Sequence, residues 1–173
     1  ANPSSSPPMT SRLLPIALMA LARLVLAQPS PVAAPQQLER EILKELIEVN
    51  TSDSARGTPA LTARIAARLR AAGFPANDVI ITGVDSTLRN LVVRYRGRSS
   101  GKKPVMLMAH LDVVDARRED WSFPPYAFRE DSGHYYGRGT SDNKAGAAIL
   151  IANFIRLKAE GFTPDRDLIM VLT

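Results

Sequence analysis

Two stretches in the first half of the chain carry apolar residues at helical spacing. In residues 36–49 and 58–72, these positions are Leu38, Ile42, Leu43, Leu46 and Ile47, then Leu61, Ile65, Ala66 and Leu69. Such spacing places the apolar side chains on one face of an α-helix. The pattern therefore predicts two amphipathic helices, the second beginning at Thr58-Pro59 and ending at Gly73.

Four shorter apolar stretches are typical of β-strands; they are residues 79–81, 91–96, 105–109 and 168–172. The last two are nearly all apolar, which predicts strands at the centre of a sheet. An apolar helix over about 144–159 connects them. This order of elements predicts an α/β fold with a mixed sheet covered by helices.

The first 27 residues are typical of a secretory signal. An apolar core over residues 13–22 follows a basic start, and cleavage after Ala22 or Ala27 would leave a small residue at the new end. The apolar run is short and interrupted by Arg23, which disfavours a stable membrane span. We expect a leader over residues 1–27 and export to the periplasm or medium, with an uncleaved apolar anchor as the alternative.

Composition fits one globular unit after this leader. Residues 28–35 form a Pro-rich linker, and residues 36–173 remain for the folded domain. A content of 45% hydrophobic and 23% charged residues argues against disorder. The chain has no cysteine, which excludes disulfides, thiol nucleophiles and cysteine zinc sites.

The formal charge of +5 does not indicate a nucleic-acid partner. No basic block is interleaved with aromatic residues, as nucleic-acid surfaces usually require. The basic cluster of the chain flanks a predicted strand and turn, so we expect a solvated hairpin face; it consists of Arg94, Arg96, Arg98, Lys102 and Lys103.

Candidate chemistry lies where the strand over residues 105–109 ends. His110 and Asp112 are two residues apart, so in extended chain they project from the same face. A carboxylate that holds one nitrogen of a metal-bound imidazole fixes its tautomer. Asp142, at the start of the long apolar helix, could bind one metal ion or bridge two.

Structural roles could also explain these residues. His110 could be a hydrogen-bonded residue at a strand end, and Asp142 could cap the following helix. His134 is interpreted as a turn residue of a hairpin connection over residues 133–137 rather than as a ligand. Arg138 could bind a substrate carboxylate or form a structural ion pair.

Four segments around these residues resemble the M20 (M20/M25/M40) family of metallopeptidases in order and spacing; they are residues 110–114, 121–125, 133–139 and 141–144. The family includes glutamate carboxypeptidases, aminoacylases, acetylornithine deacetylase, succinyl-diaminopimelate desuccinylase and dipeptidases. The resemblance runs from about Pro35 to the end of the chain. It implies a zinc-peptidase-like catalytic domain, of which residues 36–173 would be the amino-terminal part.

Carried over by position, the resemblance makes His110 a ligand of one zinc ion and Asp142 the carboxylate that bridges two. Asp112 resembles the family's catalytic aspartate, which orients the histidine. The peptide bond between Asp142 and Asn143 is often cis in that family. Asp115 stands where the family often has proline, and we expect this to affect loop shape only. Cobalt or manganese could occupy the same ligands.

The same resemblance implies that part of the machinery lies beyond Thr173. In the family the last strand leads into a Gly-Asp-Glu-Glu segment with the general base and a further ligand. Later ligands and a dimerisation domain, through which a homodimer could form, are also expected downstream. We therefore expect the amino-terminal part of a longer enzyme, which alone binds zinc weakly and is inactive.

The expected function is zinc-dependent hydrolysis of an amide or peptide bond, with a peptide or N-acyl amino acid as substrate. Carboxypeptidase, dipeptidase and deacylase chemistry stay open. One alternative is an M28-like aminopeptidase, which also uses a His-x-Asp strand end. Another is a catalytically inactive binding module. Trp121 and Phe123 are expected to pack their loop over the sheet edge.

Overall fold

The computed structural model describes residues 33–99 and 101–173. The predicted leader over residues 1–27 and the start of the linker therefore lie outside the described residues. Within the described ranges, no helix combines the length and the apolar character needed to cross a membrane.

Three α-helices and six strands make up the described chain. They are α1 (Ala33–Ile47), α2 (Thr58–Ala71) and α3 (Ala145–Ala159), with β1 (Val79–Thr82), β2 (Asn90–Tyr95), β3 (Val105–Ala109), β4 (Arg129–Asp131), β5 (His134–Tyr136) and β6 (Leu168–Leu172). The predicted helices and strands are all present. The predicted linker is too long at its end, because α1 already includes residues 33–35. Pro35 is tolerated there because N–H groups in the first turn have no partner in the helix.

The main sheet has the order β1-β2-β6-β3. Strand β6 runs antiparallel to β2 and parallel to β3, which confirms the predicted mixed sheet. Its interior position was also predicted. The central position expected for β3 is wrong, since β3 is an edge strand of the described sheet. Met106 and Met108 on β3 are 62% and 56% exposed. Hydrophobicity indicates which residues avoid water, but not which strands are neighbours.

The core lies between this sheet and the helices. Helix α1 packs on α3, and α2 packs on β1 and β2. Fully buried core residues come from all of these elements and include Leu46, Ile47, Leu61, Leu69, Leu91, Ile151, Met170 and Leu172. The apolar helix faces and apolar strands predicted from the sequence therefore pack into one core.

The basic cluster does not form a hairpin face, because β2 pairs with β1 and β6 rather than with β3. Three of its five members instead form ion pairs with aspartates elsewhere in the chain: Arg94 with Asp167, Arg96 with Asp78, and Lys102 with Asp165. Long-range partners of this kind leave no signal in local sequence.

Strands β4 and β5 form a separate hairpin whose turn lies at Ser132 and Gly133, both with positive φ. The hairpin connection expected over residues 133–137 is therefore displaced, and His134 begins β5. Phe123 packs edge-on against Tyr136 of β5, with ring centroids 6.3 Å apart. The Trp121 loop thus packs on this hairpin, not over the edge of the main sheet as expected.

Candidate metal centre

His110 and Asp112 lie just beyond the end of β3 on either side of the buried Leu111. The N–H of Leu111 donates to the carbonyl of Thr173, and its own carbonyl accepts a 2.6 Å hydrogen bond from Oγ1 of Thr51. The bond to Thr173 extends the β3–β6 pairing by one step, and the bond from Thr51 ties Leu111 to the segment that follows α1. Because Leu111 faces the core, its two neighbours face away from it.

Asp142 lies in the distorted turn Thr140–Lys144 that precedes α3. The turn follows Gly139, whose φ of 86° is in the left-handed region that favours glycine. The peptide bond from Asp142 to Asn143 is cis, as the family resemblance implied. This turn carries the carboxylate back towards the end of β3.

The structure brings His110, Asp112 and Asp142 together. Nε2 of His110 lies 2.8 Å from Oδ1 of Asp142. On the other side of the ring, Nδ1 lies 3.0 Å from the carbonyl oxygen of Asp112 and 3.2 Å from its Oδ1. The imidazole is therefore held between two aspartates.

This arrangement changes the protonation of the imidazole. Partial burial lowers the pKa of His110, but the hydrogen bonds and the negative charges of Asp142 and Asp112 outweigh it. The net pKa lies above the usual 6.5. Both ring nitrogens face acceptors, so the charged ring donates from both.

The capping interpretation of Asp142 is wrong. The residue at the cap of α3 is Lys144, and it makes no side-chain capping bond. The side chain of Asp142 is 86% exposed and contacts His110 instead. His134 lies in the β4–β5 hairpin, where its Nδ1 is 3.1 Å from the carbonyl of Ser132.

The residues present fit a divalent cation in part. An imidazole nitrogen and a carboxylate oxygen converge, and the second imidazole nitrogen is already held by an aspartate, as in many zinc sites. Among residues 33–99 and 101–173, however, no group of three His, Cys, Asp or Glu side chains could hold a metal ion. The described chain thus offers two ligands, and Asp112 behind one of them.

Arg138 and Trp121 share a cavity of about 300 Å³ with these residues. The guanidinium carbon of Arg138 lies 5.2 Å from the centre of the Trp121 ring. Nε of Arg138 is buried and has no hydrogen-bond partner. No carboxylate in the described ranges forms an ion pair with it, so the structural ion pair considered for this residue is absent there.

A second cavity has a volume of about 480 Å³, and residues 112–114 line both cavities. Its wall includes Arg56 and Arg89 as well as Asp53 and Asp115, so it carries charges of both signs. Asp112 therefore lines both cavities.

Sequence reasoning missed the role of Lys144. Its side chain is 0% exposed, and Nζ donates to the carbonyls of Leu46 and Val49 at 2.7 and 3.0 Å. Burial lowers the pKa of Lys144 to about 8, although the charge of Asp112 acts in the opposite direction. A lysine at the start of an apolar helix is ordinarily expected at the surface. The only available signal was its place next to the Asp142–Asn143 motif.

Part of this chain is similar in sequence to known proteins. Residues 106–173 match the sequence model of Peptidase family M20/M25/M40. A probable succinyl-diaminopimelate desuccinylase of Staphylococcus aureus is 37% identical over 75 residues, which cover 43% of this chain and 19% of that protein. An N-fatty-acyl-amino acid synthase/hydrolase of Mus musculus is 36% identical over 77 residues, covering 44% of this chain and 15% of that protein. The chain thus spans less than a fifth of these relatives.

Solved structures resemble a larger part of the chain. Human carnosine dipeptidase 1 superposes with a TM-score of 0.64 and 22% identity, covering 81% of this chain and 33% of that one. The di-peptidase Dug1p from Saccharomyces cerevisiae gives a TM-score of 0.66 and 21% identity, covering 82% and 32%. At this identity the likeness establishes the α/β fold. Together, this fold and the match over residues 106–173 support a fragment of a peptidase of the M20/M25/M40 family.

Proposed function

We propose that the complete protein is a metal-dependent hydrolase of amide or peptide bonds, to which this chain contributes His110 and Asp142 as ligands. The observation that carries the proposal is the 2.8 Å approach of His110 Nε2 to Asp142 Oδ1. These two donors meet at the carboxyl end of a strand and beside a cavity, where α/β proteins commonly bind their ligands.

Asp112 is the residue that orients His110. Its carbonyl and carboxylate oxygens both lie close to Nδ1, which leaves Nε2 directed at Asp142. A negative charge behind the imidazole also strengthens the ring as a donor to a cation. We assign to Asp112 the fixing of the tautomer and the orientation of the ring.

Zinc, when bound, would polarise the scissile carbonyl and lower the pKa of a bound water. Cobalt or manganese could occupy the same donors. Because the described residues provide two ligands, the general base and the further ligands of the proposed site belong to parts of the protein outside this chain. Export through the leader and a homodimer are further proposals that rest on the sequence alone.

The proposed substrates are dipeptides, longer peptides with a free carboxylate, or N-acyl amino acids. The relatives that are similar in sequence include a probable succinyl-diaminopimelate desuccinylase and an N-fatty-acyl-amino acid synthase/hydrolase, which supports N-acyl amino acids as one substrate class. The two cavities beside Asp112 supply space for the two parts of such a substrate. Arg138, which pairs with no carboxylate among residues 33–99 and 101–173, is available for a substrate carboxylate.

The alternatives are less well supported. The family match is to M20 rather than to the M28 aminopeptidases, so that alternative is not favoured. A binding module without catalysis would not need an imidazole between two carboxylates beside a cavity.

Hydrolysis by the full-length protein tests the proposal. The metal-free protein is loaded with Zn²⁺, Co²⁺ or Mn²⁺ and assayed against dipeptides, N-acyl amino acids and aminopeptidase substrates with a blocked carboxylate. We expect metal-dependent release of product from the first two classes, loss of activity with a chelator, and loss in Asp142→Asn. Metal-dependent cleavage of only the third class would favour the aminopeptidase. No cleavage by correctly folded, metal-loaded protein would contradict the proposal. Residues 28–173 alone should be inactive.

A further inference from the structure

One fully buried lysine lies next to the proposed metal centre. Lys144 has 0% exposure, and it is among the largest fully buried side chains of the described residues. Lysine is almost never buried completely unless its charge is paired or hydrogen-bonded. The burial of Lys144 therefore requires partners for its ammonium group.

The ammonium group of Lys144 is bound by the end of α1. Nζ lies 2.7 Å from the carbonyl oxygen of Leu46, in the last turn of α1, and 3.0 Å from that of Val49 just beyond it. Carbonyls at the end of a helix lack helical partners and carry the negative end of the helix dipole. They are well suited to bind a cation.

The backbone of Lys144 closes the turn that carries Asp142. Its N–H donates to the carbonyl of Gly139 at 2.9 Å, so Asp142 lies within a closed turn. A Cβ at Gly139 would come within 3.2 Å of Cδ of Lys144 and 2.5 Å of Cγ1 of Val113. The lysine stem thus packs directly on the backbone of the turn.

Lys144 therefore connects two parts of the chain that are 95–98 residues apart. Helix α1 contributes no side chain to the contact between His110 and Asp142. Its end nevertheless binds the lysine that closes the turn on which Asp142 stands. In addition, the negative charge of Asp112 favours the charged form of the ammonium group.

We propose that Lys144 is a positioning residue, which anchors the Asp142 turn to the end of α1 and so sets the distance between Asp142 and His110. The expected effect on metal affinity rests on the proposed function. The positioning itself concerns the metal-free protein and is measured separately. Removal of the ammonium group should loosen the Asp142 turn while the sheet and its core stay folded.

The test compares Lys144→Met and Lys144→Gln with Lys158→Met in the metal-free, full-length protein. Lys158 is the matched control, because it lies on α3 and its ammonium group is over the rings of Phe74 and Tyr95, away from the turn. One readout is the downfield Nε2–H resonance of His110 at a fixed pH, which reports the bond to Asp142. The second readout is the Co²⁺ dissociation constant from absorption spectra. Both are recorded well below each variant's melting temperature.

Both Lys144 variants should lose or broaden the His110 resonance and bind Co²⁺ about tenfold more weakly or worse, as expected when a group that orients a ligand is removed. Lys158→Met should keep both properties even if it melts earlier. If the Lys144 variants melt earlier but keep the resonance and bind Co²⁺ within twofold of the parent, Lys144 is only a stabilising residue and the inference is wrong. If the parent itself binds no Co²⁺ the proposed function fails, yet the resonance still decides the positioning role.

Chemical rescue separates the ammonium group from the shape of its stem. Residues 1–173 contain no cysteine. In a full-length background whose other cysteines are replaced by serine, Lys144→Cys can therefore be alkylated selectively with 2-bromoethylamine in denaturant and refolded. The product regains an amine at nearly the length of lysine. We expect it to restore the resonance and the Co²⁺ affinity, whereas alkylation with a neutral ethyl group should not. Equal recovery with both reagents would overturn the inference, and this comparison holds even if Lys144→Met does not fold.

Discussion

Nε2 of His110 lies 2.8 Å from Oδ1 of Asp142, although 32 residues separate them in the chain. One residue follows β3, and the other is carried back by the turn before α3. Both side chains are accessible to solvent, at 38% and 86% exposure. A contact between exposed groups of this kind adds little to stability. We therefore expect the contact to affect metal affinity rather than the free energy of unfolding.

Replacing Asp142 by asparagine should remove metal binding without unfolding the protein. The amide has no charge to offer a cation, and the exposed side chain contributes little to the core. Loss of a residue that only orients a ligand costs about 10–100-fold in affinity, so loss of a ligand should cost about 100-fold or more. Titration with Co²⁺ followed by absorption measures this. Asp53→Asn is the control, because Asp53 is also an exposed aspartate near the site. Affinity within a few-fold of the parent would remove Asp142 from the ligand set.

Asp112→Asn should weaken metal binding less than Asp142→Asn does. The substitution keeps the backbone carbonyl near Nδ1 of His110 but removes the negative charge 3.2 Å from that nitrogen. We expect a loss of about 10–100-fold in Co²⁺ affinity. The control is Asp115→Asn, three residues further on, where the carboxylate accepts a hydrogen bond from Ser54 instead. Equal effects of the two substitutions would show that general negative charge, not the orientation of His110, is responsible.

The parts of the fold that depend on local pattern were predictable. Apolar spacing identified α1, α2 and α3, and β6 was correctly placed inside the sheet, because helical and strand periodicities are properties of a short segment. His110 and Asp142 were also predicted to act together. That prediction came from motif order and from the resemblance to a family rather than from periodicity.

Features that depend on long-range packing were not predictable in the same way. Strand β3 has an interior strand's composition, yet it lies at the edge of the described sheet. Lysine is a residue type expected at the surface, yet Lys144 is fully buried because two carbonyls at and just beyond the end of α1 accept hydrogen bonds from it. Arg138 stacks on Trp121, for which a charge pattern gives no indication. Each depends on a partner distant in sequence.

Tyr95 should make the protein less stable at alkaline pH. Its side chain is 5% exposed and its hydroxyl donates to the carbonyl of Phe162 at 2.5 Å. Burial, followed by the charge of Glu160, raises the pKa of Tyr95 above 10. The unfolded state therefore loses its proton first, so the stabilisation is fully present below pH 10 and falls as pH rises through the folded pKa.

Urea unfolding at neutral pH and above pH 10 measures this effect. Tyr95→Phe should cost about 1 kcal/mol at neutral pH, from the lost hydrogen bond, and should reduce the further loss at high pH. Tyr135→Phe is the control, since Tyr135 is 39% exposed. An unchanged alkaline slope in Tyr95→Phe would show that another group is responsible.

Two glycines with similar backbone angles should respond differently to alanine. Gly139 and Gly161 have φ of 86° and 70°, so each alanine suffers the left-handed penalty of about 1–2 kcal/mol. A Cβ at Gly161 would have nothing within 4 Å, whereas at Gly139 it would lie 2.5 Å from Cγ1 of Val113. Gly161→Ala should therefore reduce the free energy of unfolding only by this backbone penalty, and its Co²⁺ affinity should stay unchanged. Gly139→Ala should lose more free energy of unfolding and bind Co²⁺ more weakly, because Gly139 precedes the turn of Asp142 and packs on the stem of Lys144. Equal losses in both variants would mean that the close packing around Gly139 does not position the ligand.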